Sequence, residues 1–224
     1  MEKPFGLLRD GFPYHLTLGM RRVTSQPVDI VLADDGLLFV LNRQEVGGEI
    51  RRTNMEDEDL DTIGSGFVWP SQMISDSEGK LYVSDEGKND ISIWGQDGKS
   101  YGSWGTLGTG AGELDHPAGL AFDSDENLWV VDSWNHRIQK LTKDGEYLSS
   151  FGSHGTGPGQ LDSPWGIIID DDGDIYVSDW GNDRVQKFNP SGEYIMEFGP
   201  GSGTGELSGP AGVAVDEHGD VYVA

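Results

Sequence analysis

The chain has 224 residues, with 15 Lys and Arg against 39 Asp and Glu, which gives a formal net charge of −24. It contains no cysteine, which excludes disulfides, thiolate metal sites and thiol catalysis. The acid excess disfavours nucleic acid, because phosphate binding depends on clustered Lys and Arg, and no apolar run approaches the roughly 20 residues of a membrane helix. We therefore expect a soluble globular protein with no nucleic-acid or membrane partner.

A phrase that begins at a proline recurs along the chain. The framing residues are Pro27, Pro70, Pro117, Pro164 and Pro210, and the spacings between them are 43, 47, 47 and 46 residues. Each full period contains two apolar runs separated by a polar turn, followed by a third alternating segment. Regular self-similarity at this length indicates a repeat architecture.

Four short strands are predicted in each period. In the period from Pro117 they are Leu120–Asp123, Leu128–Val131, Arg137–Leu141 and Glu146–Phe151, separated by polar turns. No segment has a 3.6-residue apolar period. Four antiparallel strands per 40–50 residues are typical of β-propeller blades, whereas a β-solenoid, the structural alternative, has shorter parallel coils. The pattern predicts an all-β propeller of four-stranded antiparallel blades.

Two segments, Asp132–Gln139 and Asp179–Gln186, resemble the signature of NHL repeats. The glycine-rich segment Phe151–Leu161 is similar to the phrase that joins successive blades in that family. The resemblance is strongest in the periods from Pro117 and Pro164, looser in the period from Pro70, and limited to two strands in the first period. It implies a six-bladed ring for the full-length protein.

We expect a single domain over residues 1–224. The predicted blades are 27–69, 70–116, 117–163 and 164–209, with a partial blade at 210–224 and a closure segment at 1–26. Tyr14–Gly19 matches the fourth-strand phrase Tyr147–Gly152, and an N-terminal fourth strand would complete the last blade of a closed ring. We therefore expect a piece truncated in the fifth blade, open and aggregation-prone by itself and monomeric at full length.

Strand order assigns the loops to two faces of such a propeller. The linker before each first strand and the loop between the second and third strands share one face, and loops on a rigid scaffold commonly carry binding residues. The predicted binding residues on this face are Trp69, His116, Trp134, His136, Arg137, Trp165, Trp180 and Arg184. Structural roles are the alternative: Asp132 with Arg137, and Asp179 with Arg184, would clamp their loops as ion pairs, and the tryptophans would pack between blades.

Metal sites and catalytic motifs are not predicted from these residues. Asp170–Asp174 is superficially like a calcium loop but lacks the bidentate Glu at position 12, so a hairpin turn is favoured. The histidines (His15, His116, His136, His154 and His218) occupy five different places in the repeat, which excludes a symmetric axial zinc cluster built from these blades. Phosphate-loop and nucleophile-elbow motifs are also missing.

The sequence therefore predicts a non-enzymatic binding or scaffold propeller without a cofactor, which recognises a protein, a peptide or a small ligand on the loop face. The alternative is a metal-dependent lyase or lactonase-like hydrolase, with Zn or Ca in the axial funnel. The resemblance supports this alternative because one NHL relative, an amidating lyase, holds zinc near its axis. A chain that begins with Met1 and shows no export signal is expected in the cytoplasm.

Overall fold

The computed structural model describes residues 26–33, 35–43, 47–55, 58–200, 206–216 and 218–224. Within these ranges the chain forms 18 β-strands, and the helical segments are two single 3₁₀ turns, Ser133–Asn135 and Trp180–Asn182. None of the helices found in the described ranges is long and apolar enough to cross a membrane. The predicted closure strand Tyr14–Gly19 lies outside the described residues.

Each of the four predicted blades is a four-stranded antiparallel sheet whose strands follow chain order. Blade one consists of β1 (Pro27–Leu32), β2 (Leu38–Asn42), β3 (Gly48–Thr53) and β4 (Asp59–Phe67). Blade two consists of β5 (Pro70–Ser75), β6 (Leu81–Asp85), β7 (Asp90–Trp94) and β8 (Ser100–Trp104). Blade one is therefore complete, although its third and fourth strands do not match the repeat phrase in sequence.

The next two blades follow the repeat most closely. Blade three consists of β9 (Pro117–Phe122), β10 (Leu128–Asp132), β11 (Arg137–Leu141) and β12 (Tyr147–Phe151). Blade four consists of β13 (Pro164–Ile169), β14 (Ile175–Asp179), β15 (Arg184–Phe188) and β16 (Tyr194–Phe198). A two-stranded sheet of β17 (Val213–Val215) and β18 (Val221–Val223) follows them.

The sheets stand side by side, with their first strands as neighbours: β1 contacts β5, β5 contacts β9, β9 contacts β13, and β13 contacts β17. Apolar side chains fill the space between successive sheets. The cluster between blades three and four, for example, includes Trp129, Val131, Ile138, Val177 and Phe188, all at most 3% exposed. Because this burial depends on the adjacent sheet, the blades stabilise one another. The predicted all-β propeller architecture is confirmed.

The turns between first and second strands differ in detail from the prediction. Asp123, predicted to end a strand, lies in the turn after Phe122, where its carboxylate accepts hydrogen bonds from the Asp125 amide at 3.0 Å and the Asn127 amide at 2.9 Å. The side chain thus bonds its own turn instead of extending the strand. Asp170 does the same for Asp172 and Asp174, so the hairpin interpretation of the aspartate run is confirmed. The fourth strand begins at Tyr147, one residue later than predicted.

Near the axis, serine side chains of one blade bond to the backbone of the next. The Ser84 hydroxyl donates to the Ala118 carbonyl at 2.6 Å, and the Ser178 hydroxyl donates to the Ala211 carbonyl at 2.7 Å. Gly119 lets β9 approach β13, because a Cβ at this position would lie 2.6 Å from the Trp165 carbonyl oxygen. These close contacts fix the position of each blade relative to the next.

Candidate binding face

The loop face combines the loops that join second and third strands with the linkers that join one blade to the next. Its best-defined loops are 86–89, 133–136 and 180–183, and its best-defined linkers are 105–116 and 152–163. Each of these linkers bonds to two loops: the loop of the blade it leaves, through Asn89 or His136, and the loop of the blade it enters, through Asn135 or Asn182. The aspartates that end the second strands of blades two, three and four, Asp85, Asp132 and Asp179, hold the linkers in place.

Asp132 is the centre of the clamp in blade three. It is fully buried at the end of β10. Its carboxylate accepts hydrogen bonds from the Asp115 amide at 2.7 Å, Asn135 Nδ2 at 3.0 Å, Arg137 Nε at 2.7 Å and Gln139 Nε2 at 2.9 Å. The predicted ion pair of Asp132 and Arg137 is therefore present, as part of a network that also binds the linker.

The guanidinium of Arg137 completes this clamp. Its two terminal nitrogens donate to the carbonyls of Thr109 at 2.9 Å, Gly110 at 2.8 Å and Glu113 at 3.0 Å. All of these acceptors lie in the linker. The donors of Arg137 are thus engaged by the scaffold, and the side chain remains 17% exposed.

Blade four repeats the arrangement. Asp179 accepts from the Asp162 amide at 2.6 Å, Asn182 Nδ2 at 2.9 Å, Arg184 Nε at 2.8 Å and Gln186 Nε2 at 3.0 Å. The Arg184 side chain is 9% exposed. The repeated Asp, Asn, Arg and Gln therefore fasten linkers to loops, and the structure places Arg137 and Arg184 in this scaffold.

Blade two departs from the pattern. Asp90 lies directly opposite Asp85 in the strand pair, where the next two blades have arginine opposite aspartate. One carboxylate oxygen of Asp90 is buried and finds no hydrogen-bond partner among the described residues. Burial raises the pKa of Asp90, against a hydrogen bond from Ser103 and the charge of Lys88, and the negative charge of Asp85 raises it further.

Three tryptophans of the loop face are half-exposed. Trp69 is 50% exposed, Trp134 is 60% exposed and Trp180 is 51% exposed. Trp69 lies beneath the guanidinium of Arg43, whose central carbon is 4.2 Å from the ring centroid. We call Trp69, Trp134 and Trp180 the face tryptophans. Exposed aromatic rings on rigid loops are typical anchors for a binding partner.

A buried carboxylate lies beside Trp69. Glu86 accepts a hydrogen bond from the Ser71 hydroxyl and lies 3.6 Å from the Arg43 guanidinium. Burial raises the pKa of Glu86, against the hydrogen bond from Ser71 and the positive charges of Arg43 and His116. Ser133 and Trp180 occupy the corresponding positions of the next two repeats, so this acid is particular to blade two.

His136 meets two partners that sequence reasoning did not bring together with it, His154 and Asp162. The His136 Nδ1 lies 3.5 Å from Asp162 Oδ1, and the His154 Nε2 lies 3.7 Å from the same oxygen. Burial lowers the pKa of His136, and the charge of His154 lowers it further, against the attraction of Asp162. Such a set could hold a metal ion.

Trp165 has a different environment. It lies at the start of β13, packs against the core between blades three and four, and lines an axial cavity of about 270 Å³. Of the described residues that line this cavity, Asp29 is the only ionisable one. Its carboxylate accepts the Met73 amide at 2.8 Å. Burial raises the pKa of Asp29, against the amide bonds from Met73 and Ile30.

The sequence matches the family described as NHL repeat over residues 114–141 and 161–188. Both matches begin in a linker and end with the third strand of a blade, so each contains the Asp, Asn, Arg and Gln of one clamp. None of the curated proteins compared with the chain matches its sequence significantly.

Solved structures of similar fold include a virginiamycin B lyase from Staphylococcus aureus. The identity is 17% with a TM-score of 0.68, over 93% of this chain and 66% of the lyase chain. A chain of a nidogen/laminin complex is 20% identical with a TM-score of 0.64, over 86% of this chain and 69% of that one. A gluconolactonase from Xanthomonas campestris is 17% identical with a TM-score of 0.60, over 87% of this chain and 67% of the enzyme.

These identities show a shared fold. The chain spans 61–66% of the length of three similar structures, two of virginiamycin B lyase and one of a streptogramin B lyase. The chain therefore has a β-propeller fold, and its blades three and four match the NHL repeat.

Proposed function

We propose that the chain is a binding propeller whose loop face recognises a protein or peptide segment through the face tryptophans. The observation that carries the proposal is the exposure of Trp69, Trp134 and Trp180, each at least 50%, in loops and linkers of one face. Large exposed aromatic rings lose little conformational freedom on binding and dominate the energetics of many interfaces.

The clamps support this role because they hold the rings on a preformed surface. Trp134 lies between Asp132 and Asn135, and Trp180 directly follows Asp179. Asn135 donates to the Gly108 carbonyl and Asn182 donates to the Gly155 carbonyl, so both loops are fixed to their linkers within one or two residues of the ring. A preformed surface reduces the ordering cost of association.

The charge of the chain indicates the chemistry of the partner. The formal net charge is −24, and Asp115, Asp162 and Asp183 lie in the linkers and loops around the face tryptophans. A segment that carries basic residues beside apolar ones would be attracted at long range and would bury its apolar side chains on the rings. The nidogen/laminin complex, in which a chain of similar fold is part of a protein assembly, agrees with a binding role.

The experiment is a selection of displayed peptides on the wild-type chain, followed by affinity measurements with the recovered peptides. Replacing Trp134 or Trp180 by alanine should weaken binding about 10- to 100-fold, which is the range of interface hot spots. Tyr147→Ala is the matched control, because Tyr147 is a 41% exposed aromatic residue on the outer strand β12. Selected peptides that bind the double variant W134A/W180A as tightly as the wild type would refute the proposal.

An enzyme of the lyase or lactonase type, with its site in the axial funnel, has less support. Catalytic zinc commonly has three protein ligands, whereas the described lining of the axial cavity offers the single carboxylate of Asp29, which is already bonded to the Met73 amide. Stoichiometric metal in the purified full-length protein, lost together with lyase or lactonase activity on chelation, would favour this alternative over the binding role.

A further inference from the structure

We propose that His136, His154 and Asp162 form a zinc site between the loop of blade three and the linker to blade four. One potential ligand atom from each residue lies within 4.8 Å of the other two. Tetrahedral zinc with ligands at about 2.0–2.2 Å requires separations of about 3.3–3.5 Å. The measured distances from Asp162 Oδ1, 3.5 Å to His136 Nδ1 and 3.7 Å to His154 Nε2, are close to that requirement.

The scaffold holds the backbone of Asp162 in place, and the His154 side chain is able to adjust. The Asp162 amide donates to the Asp179 carboxylate at 2.6 Å, and the Asp162 carbonyl accepts the Gly181 amide at 2.8 Å. The His154 side chain is 66% exposed. A small rotation of His154 would therefore complete the set without moving a strand.

His136 also has a structural role. Its Nδ1 accepts a hydrogen bond from the Ser163 amide at 3.0 Å. The preceding repeat makes the equivalent bond with Asn89, whose Oδ1 accepts the His116 amide at 2.9 Å. Zinc would take the same lone pair of His136, so a metal-mediated link between loop and linker would replace the hydrogen-bonded one.

The linker bond explains why residue 136 carries an acceptor but not why three metal-binding side chains meet there. In the preceding repeat, the positions of His136, His154 and Asp162 are occupied by Asn89, Leu107 and Asp115. That repeat keeps the amide bond and the aspartate without the imidazoles. The ligand set is therefore an addition to the repeat framework.

The donor atoms favour zinc over calcium. Two imidazole nitrogens and one carboxylate oxygen suit a borderline cation, whereas calcium takes six to eight oxygen ligands. Three protein ligands leave a fourth position for water or for a group of a bound partner. The proposal does not depend on the binding of a peptide to the face tryptophans.

The test is titration of the metal-free chain with zinc, followed by calorimetry and by thermal unfolding. We expect one zinc per chain and a rise in Tm of about 3–6 °C when free zinc is about ten times the Kd. Cobalt should give the absorption bands of a tetrahedral site. The Asp162→Asn variant should lower the affinity at least tenfold.

The double variant H136N/H154L is the matched control for folding, because it gives this site the side chains of the preceding repeat. It should keep the metal-free Tm of the wild type and lose the zinc-dependent rise. His218→Asn, which changes a histidine of the 216–220 turn, should leave both unchanged. Absence of zinc binding by the wild type, or binding that survives in H136N/H154L, would overturn the proposal.

Discussion

His116 lies flat on Trp134, with ring centroids 3.6 Å apart and an angle of 11° between the planes. His116 comes from the linker that enters blade three, and Trp134 comes from the loop of the same blade. The Nδ1 of His116 is also 2.7 Å from the Asp115 carboxylate, so the histidine ring is fixed by its own linker. This stack holds a 60% exposed tryptophan in one orientation.

The stack leads to a prediction for His116→Ala. Aromatic pairs contribute about 0.5–1.5 kcal/mol beyond the area they bury, so peptides that bind through Trp134 should bind the variant about 2- to 10-fold more weakly, with little change in Tm. Fluorescence anisotropy with labelled peptides measures the affinity, and near-ultraviolet circular dichroism reports the loss of ring order. Equal affinities of variant and wild type would show that the stack does not orient Trp134 for binding.

Removing Arg137 should destabilise the chain. The Arg137→Ala variant leaves the fully buried Asp132 without its cation and removes one donor from each of three linker carbonyls. Breaking a buried pair from one side costs about 3–5 kcal/mol, and urea unfolding measures the loss. Lys140→Ala is a suitable control, because its partner Asp123 is 14% exposed whereas Asp132 is fully buried. The K140A variant should lose far less stability. A loss for R137A as small as that of K140A would contradict the clamp.

Asp90 gives a prediction that depends on pH. Its pKa is raised by burial, so the folded state holds the proton more tightly than the unfolded state, and stability falls as pH rises through the interval between the two pKa values. Above the pKa that Asp90 has in the folded state, the full energetic cost of burying its charge is present. Asp90→Asn should therefore raise the Tm at pH 7, and the difference from the wild type should shrink towards pH 3.

The measurement is thermal unfolding of both proteins across that pH range. The residue opposite, Asp85, offers a contrast, because Asp85→Asn removes an acceptor for the Val68 and Trp69 amides and should destabilise the chain at pH 7. A D90N variant less stable than the wild type at pH 7 would show that the Asp90 charge stabilises blade two.

Gly119 should not tolerate a side chain. A Cβ at this position would lie 2.6 Å from the Trp165 carbonyl and 3.0 Å from the Ile167 amide, both backbone atoms of the next blade. Gly119→Ala should cost about 1–3 kcal/mol, as for overpacked cores. Gly212→Ala is the control, since its Cβ would meet only the Ala224 Cβ at 3.7 Å. If the two variants have the same free energy of unfolding in urea, β9 and β13 can move apart at little energetic cost.

The sequence was sufficient to predict the blades and the ion pairs within each hairpin. Asp132 and Arg137 are five residues apart and face each other across one turn, so their pairing follows from strand order. The contacts of the clamp with its linker join residues about 27 apart, such as Arg137 and Gly110. Those contacts depend on the path of the linker over the face, which spacing alone does not reveal.

The tryptophans show a second feature that the sequence alone does not predict, namely which rings are buried. Trp129 and Trp134 are five residues apart in blade three, yet Trp129 is 3% exposed and Trp134 is 60% exposed. Whether a ring packs or projects is decided by the neighbouring blade. The meeting of His136 with His154 has the same origin, because the linker turns back on itself, as shown by the bridge between His154 and Leu161.

Within each loop, the clamp residues are kept from blade to blade, whereas the position of the exposed tryptophan changes. Between Asp132 and Asn135 the tryptophan is the second residue, whereas between Asp179 and Asn182 it is the first, and the hydrogen bonds of the two frames are nevertheless alike. An exposed ring has thus moved by one position without disturbing the frame. Successive blades can therefore present an exposed side chain at different positions of the loop, and residues 134 and 180 are suitable for combinatorial randomisation when new specificities are sought.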